Sequence, residues 1–257
     1  CVLVPSLTVL YIHMRNGRGS EKLLIAALVM TGISLLIPIL CVSRFQLVFA
    51  VLLAAFTYIS LQKLFHPGWV LGLFVVLLPF YLILTVARSH NIEYLNGIFE
   101  MKRASMPIFI SQPYIYIANN YDNFNCMVEA LPGHSFGLKG LFPLWALSGL
   151  KFFFPQLINF PIYVDKTELT TVTLIYDAYY DFGIIGVLVF ACILGAVCFF
   201  LVEKLREMKN PMGYLFYGQM AIYMMLSFFT TWFSNPTTWF YFLVTAVLTF
   251  YCSVSRR

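Results

Sequence analysis

Charge is scarce in this sequence: only 11% of its residues are Asp, Glu, Lys or Arg, against roughly a quarter in an ordinary soluble domain. Since 61% of residues are hydrophobic, the shortage excludes a conventional soluble domain and points to an integral membrane protein. Grouped cysteines are also lacking. Of the six, Cys1, Cys41, Cys192, Cys198 and Cys252 fall in or at the edges of apolar runs, where cysteine acts as a small hydrophobe. Only Cys126 lies in a more polar region, so no disulfide framework is expected. No CxxC pair and no His/Cys cluster at metal-ligand spacing occurs, so neither a metal nor another cofactor is expected. The opening residues have no basic stretch and no small-residue cleavage site, which argues against a signal peptide. An initiator methionine is missing too, and the chain is expected to be the C-terminal part of a longer protein whose earlier spans lie upstream.

What the sequence does contain is a series of apolar runs. A spanning helix needs about 20 mostly apolar residues, and the pattern predicts runs over 1–14, 23–42, 46–62, 69–87, 174–202, 213–233 and 237–254, the first too short for a full crossing. The fold class expected is all-α: a polytopic transmembrane helix bundle forming a single domain over 1–257.

Lysine and arginine stay preferentially in cytoplasmic loops. The segments RNGRGSEK (15–22), QKLFH (62–66) and EKLREMKNP (203–211) and the terminal SRR are all basic and fall self-consistently on one side. They account for most of the net charge of +5, so nucleic acid is not implied. The segment 88–170 then lies outside the cytoplasm. Its stretches PIFISQPYIYIA and GLFPLWALSGLKFFF are too apolar for a solvated loop, yet short and broken by proline. They predict an extracytoplasmic cap of short interfacial or re-entrant helices.

That outer side nevertheless carries Arg44, Arg88, Lys102, Arg103, Lys139, Lys151 and Lys166. Arginine suits phosphate because its planar fork donates two parallel hydrogen bonds and keeps its charge. Each arginine alone can equally be snorkelling to lipid headgroups.

The turn CVSRFQLVFAVL between two apolar runs, the outer stretch YIANNYDNFN and the element YYDFGIIG opening the next run carry a resemblance. Over roughly residues 30–200 the chain resembles the bacterial oligosaccharide repeat-unit polymerases, the O-antigen and capsule polymerases of the Wzy type. The resemblance implies a metal-independent, multi-helix glycosyltransferase of the bacterial plasma membrane, similar to the O-antigen ligases. Its substrates would be undecaprenyl-diphosphate-linked oligosaccharides at the outer face. Its implied partners are membrane lipids, a repeat-unit flippase and a chain-length regulator.

Such a reaction needs cations to hold the charge growing on a departing diphosphate and one general base for the attacking sugar hydroxyl. No DxD motif is present to recruit a metal, so Arg44, Arg88 and Arg103 form the expected diphosphate-binding set, with Lys102 and Lys139 as lesser candidates. For the base, residues four apart share a helix face, so Thr173, Asp177 and Asp181 predict a polar stripe at the start of the run 174–202. Asp181, Asp177 and His134, in PGHSFG, are the catalytic candidates. Asp181 has an alternative role as a helix N-cap, and His134 an alternative as a solvated turn residue. Asn119, Asn120, Tyr121 and Tyr180 are the sugar-binding candidates. The tyrosines can instead belong to an aromatic belt, and the asparagines can cap turns.

Two other functions stay open. A ligase would transfer a finished glycan to a different acceptor. A transporter or flippase would place polar residues near mid-membrane and often show internal repeats, whereas the runs 46–62 and 213–233 hold no charge in their middles.

Overall fold

In hydrocarbon a backbone must satisfy its own N–H and C=O groups, which leaves helices and closed barrels as the ways to cross a bilayer. The computed structural model describes residues 1–15, 20–62, 66–86, 92–205, 207 and 210–254, and among these every regular element is helical. Four helices are long and apolar enough to cross a membrane: α2 (Glu21–Leu40), α3 (Arg44–Gln62), α4 (Pro67–Val86) and α9 (Tyr176–Leu205). They correspond, within a few residues, to four of the runs expected from hydropathy. α1 (Val4–Arg15) has 12 residues, about 18 Å of helix at 1.5 Å per residue. α11 (Pro236–Val254) covers another expected run. It starts on a proline, and Asn235 Oδ1 accepts the Thr237 N–H at 2.9 Å, in the manner of an N-cap.

The run expected over 213–233 is not one helix. α10 (Tyr214–Met225) stops after 12 residues, and the chain then passes through turns to a short 3₁₀ piece, Trp232–Ser234. The physical reason lies in who takes the released carbonyls. Leu174 N–H donates to Ser227 O at 2.7 Å, Asn120 Nδ2 to Phe228 O at 2.6 Å and Trp232 Nε1 to Leu226 O at 3.1 Å. Non-helical backbone is tolerated at membrane depth when protein groups satisfy it.

The chain divides into two compact units, one formed by Cys1–Asn91, Leu201–Ile222 and Thr245–Arg257, the other by Ile92–Phe200 and Tyr223–Val244. In the first, α1 packs on α2 and α3. Leu10, Leu61, Tyr214 and Leu215 form a buried cluster. Thr8 and Thr31 bridge α1 and α2 through their hydroxyls at 2.8 Å, and Gln219 Nε2 donates to Thr245 Oγ1 at 2.7 Å. Between α2 and α3, Val42 takes a left-handed φ of 51°, rare for a β-branched residue. It lets Ser43 N–H close the turn onto Pro38 O at 2.8 Å.

In the second unit α5 (Ile92–Ile98) packs on α6 (Ile108–Ala130) over Phe99, Ile108 and Ile115. α6 is a correction to the expectation of short pieces: it runs for 23 residues and continues through Pro113. Pro113 is the sixth residue of the helix, so α6 continues although this position offers no N–H to the Phe109 carbonyl. α7 (Phe142–Leu147) and α8 (Leu150–Phe153) are short, as expected. Phe152 and Phe153 on α8 are nearly fully exposed, at 78% and 79%, which suits a piece lying in a bilayer interface.

Candidate functional site

The second unit concentrates its buried charge at the start of α9. Thr173, Asp177 and Asp181 are all buried; the two aspartates lie one turn apart on α9, whereas Thr173, expected on the same helical stripe, precedes the helix, which begins at Tyr176. What makes this end unusual is Gly183, whose φ of 63° and ψ of −149° break the helical geometry. That combination is essentially restricted to glycine. Just ahead of the break, the carbonyls of Tyr180 and Asp181 accept the N–H groups of Ser135 (3.3 Å) and Phe136 (3.1 Å).

The loop 134–140 is thereby laid against α9, and the Asp181 side chain fixes it further. Its carboxylate accepts the Ser135 hydroxyl, the Lys139 N–H at 3.2 Å and the Gly140 N–H at 2.8 Å. Both oxygens are thus engaged with the loop. His134 Nδ1 lies 3.3 Å from the Tyr180 carbonyl, so the tautomer with hydrogen on Nδ1 donates there. A Cβ at Gly183 would lie 3.0 Å from His134 Nε2, so the absence of a side chain makes room for the ring.

This loop delivers Lys139 into the interior. Its ammonium stands 3.8 Å from Asp177 Oδ1, 4.2 Å from the Tyr180 ring centroid and 5.4 Å from that of Tyr176. Aromatic faces attract a cation through their quadrupole, so the two tyrosines and the carboxylate hold the ammonium in a cage. Burial pushes the Lys139 pKa down, against the opposing pull of Asp177 and Asp181.

Thr231 and Ser234 line the same cavity as Asp177. They lie at the short 3₁₀ piece Trp232–Ser234, where the hydropathy reading put Thr231 inside the run 213–233 and Ser234 just beyond it. Two cavities share Asp177 and Ser234 as lining residues. The smaller, about 200 Å³, combines Lys139, Asp177, Thr231 and Ser234 with Phe142, Phe160 and Tyr176. The larger, about 670 Å³, is mainly apolar and follows α9 from Ala178 through Phe182, Ile185 and Val189 to Ile193, with Phe233 and Trp239 opposite. From 178 to 193 a helix advances about 22 Å.

The remaining predicted residues are distributed as follows. Asn119 and Asn120 are buried and hold backbone: Asn119 donates to Leu169 O at 3.2 Å, and Asn120 donates to Phe228 O while accepting the Thr171 hydroxyl at 2.6 Å. Neighbouring Asn123 donates to Leu169 O and Thr171 O and accepts the Asp165 N–H at 2.8 Å. These amides stitch the segment before α9 onto α6. Tyr121 is exposed. Tyr180 is the floor beneath Lys139. Arg103, exposed, belongs to the second unit, whereas Arg44 belongs to the first. There Arg44 Nη1 donates to Thr85 Oγ1 at 2.9 Å, and its guanidinium lies 5.6 Å over the Tyr81 ring. Arg88 and the neighbouring His90 lie outside the described residues. Among the described residues no group of three His, Cys, Asp or Glu side chains is arranged to hold a metal ion.

Sequence reasoning gave Lys139 a minor place and passed over Ser135, Gly140, Thr231 and Ser234. A usable signal was present: Gly137 and Gly140 bracket Lys139 as turn residues do. Comparison with protein-family models, with curated proteins and with solved structures returns no match.

Proposed function

We propose that the chain is a membrane glycosyltransferase that joins lipid-linked oligosaccharide repeat units, working at the outer face of a bacterial plasma membrane. One observation carries the reading: a buried aspartate stands where a small polar-aromatic cavity and a long apolar groove share their walls. Aromatic rings beside hydroxyls and a carboxylate are the chemistry that holds a sugar. An apolar groove along a helix able to span a bilayer suits a polyprenyl chain. Asp177 is then the general base, because it faces one cation and a cavity whose wall carries two hydroxyl side chains, whereas Asp181 is committed to the loop main chain.

In the proposed reaction a hydroxyl of one repeat unit attacks the anomeric carbon of another. Its proton passes to Asp177, a new carbon–oxygen bond forms, and the bond to the lipid diphosphate breaks with its electron pair leaving on the phosphate oxygen. General base assistance of this kind contributes typically 10²–10⁴-fold. Asp181 acts as a positioning residue. In this reading the segment 88–170 lies outside the cytoplasm and the basic loops face the cytoplasm.

Purified full-length chain in lipid nanodiscs, given undecaprenyl-diphosphate-linked repeat units, tests the proposal. A ladder of lengthened glycans is expected. A single transfer to another acceptor would instead identify a ligase, and the absence of any covalent product would remove the transferase reading.

A further inference from the structure

We infer that the Lys139 ammonium exchanges anionic partners during turnover: it is held by Asp177 while that carboxylate is ionised, and passes to the departing diphosphate once Asp177 has taken the acceptor's proton. The inference rests on the transferase reading and assigns a catalytic role to Lys139.

The geometry supports it in three ways. First, Lys139 and Asp177 are an ion pair at 3.8 Å with both side chains nearly withdrawn from solvent, at 12% and 9% exposure, so each depends on the other for its charge. Second, the nearby carboxylate of Asp181 already receives the Ser135 hydroxyl and the Lys139 and Gly140 N–H groups. It anchors the lysine's main chain, and Asp177 remains the carboxylate that faces the ammonium. Third, the Tyr176 and Tyr180 faces hold the ammonium without neutralising it.

With Asp177 ionised, a diphosphate meets a carboxylate beside the lysine, and binding is weak. Transfer of the hydroxyl proton to Asp177 makes that group neutral. In the same step the glycosidic bond to phosphate breaks and its electron pair moves onto the leaving oxygen. One proton is moved, one carbon–oxygen bond forms and one breaks. The positive charge at Lys139 loses its old counter-charge as the new one develops. Preorganised charge of this kind stabilises the transition state more than the ground state.

The test is binding of undecaprenyl diphosphate to full-length protein in nanodiscs. Asp177→Asn, which mimics the protonated carboxyl, should bind the lipid about tenfold more tightly than wild type, as expected when a like charge is removed from a buried anion site. Lys139→Met in the Asp177→Asn background should abolish that gain. An unchanged affinity in Asp177→Asn, or a gain that survives Lys139→Met, overturns the inference. If Asp177→Asn loses its thermal transition, Lys139→Arg and Lys139→Met are compared in the wild-type background. Arginine should keep wild-type affinity and methionine should lose it, and equal affinities overturn the exchange. The two readings separate cleanly: a glycan ladder without tightening sinks the exchange alone, whereas tightening without any glycosyl product upholds the anion site and removes the transferase reading.

Discussion

The Asp181 carboxylate receives the Gly140 N–H at 2.8 Å across a separation of 41 residues, and a Cβ on Gly140 would stand 2.7 Å from the same oxygen. Gly140 therefore has to be a glycine for the loop to close on α9, and through that closure Lys139 reaches Asp177. Gly140→Ala is predicted to lower thermal stability in detergent by about 1–3 kcal/mol, the cost of leaving a buried acceptor unsatisfied. It should also reduce glycan synthesis by at least tenfold. A variant with wild-type melting and turnover would show that the loop closes without this bond.

Asp181→Asn separates anchoring from base chemistry. The amide keeps one acceptor oxygen but replaces the other with a donor that opposes a backbone N–H, so stability should fall by about 1–3 kcal/mol. Asp177→Asn should cut turnover by about 10²–10⁴-fold and, by stranding the buried Lys139 ammonium, should also lower stability. The opposite pattern, with Asp181→Asn stable but inactive and Asp177→Asn active, would return the base to Asp181. Single-turnover assays run beside thermal melts make the comparison.

Gly183→Ala forces a side chain into a φ of 63° and against the His134 ring. The predicted cost is about 1–3 kcal/mol, with the 134–140 loop displaced. Gly186→Ala is expected to be at least as damaging, because its Cβ collides with the Ala178 carbonyl. Limited proteolysis of the loop reads both variants, and unchanged protection would mean that the kink tolerates a side chain.

The lowered pKa of Lys139 has a definite pH signature. Between that lowered value and the ordinary 10.5, the unfolded chain binds more protons at this position than the folded one. Stability from this group is therefore fully present above 10.5 and is lost as pH falls through the folded value. Relative to Lys139→Met, the wild type should gain stability as pH rises through this window. Paired thermal melts across alkaline pH check it, and a constant difference between the two proteins would contradict burial of the ammonium.

Asn123→Ala removes two donated bonds to Leu169 O and Thr171 O and one accepted from the Asp165 N–H. Thermal stability should drop by several kcal/mol, at about 1–3 kcal/mol for each group left unsatisfied. The KM for lipid-linked substrate in the surviving folded fraction should stay within about threefold. A raised KM with intact stability would instead indicate that this amide touches sugar.

Much of the helical framework was legible in the sequence because hydropathy is local: twenty apolar residues announce a helix wherever they occur, and α2, α3, α4 and α9 follow that rule. The break after Met225 was not legible, because the run remains apolar and the groups that accept its unwinding, Asn120 and Leu174, lie far away in sequence. The same distinction applies to the element Asp-Phe-Gly-x-x-Gly. Its aspartate suggested a helix N-cap, whereas in the fold that aspartate is a clasp for the 134–140 loop and its first glycine a kink.

The sequence by itself determined that the chain is helical and built for a membrane, and that Asp177 and Asp181 fall one turn apart. Only the tertiary structure decided which carboxylate is bound to the loop main chain and which lines the smaller cavity. Asp177 and Asp181 are the same residue one turn apart, and what separates them is the set of donors each meets: loop N–H groups and a hydroxyl at Asp181, an ammonium and a cavity at Asp177. Those donors arrive from segments about forty or more residues away in the chain, and no local pattern of hydropathy or spacing specifies which of two aspartates they will find.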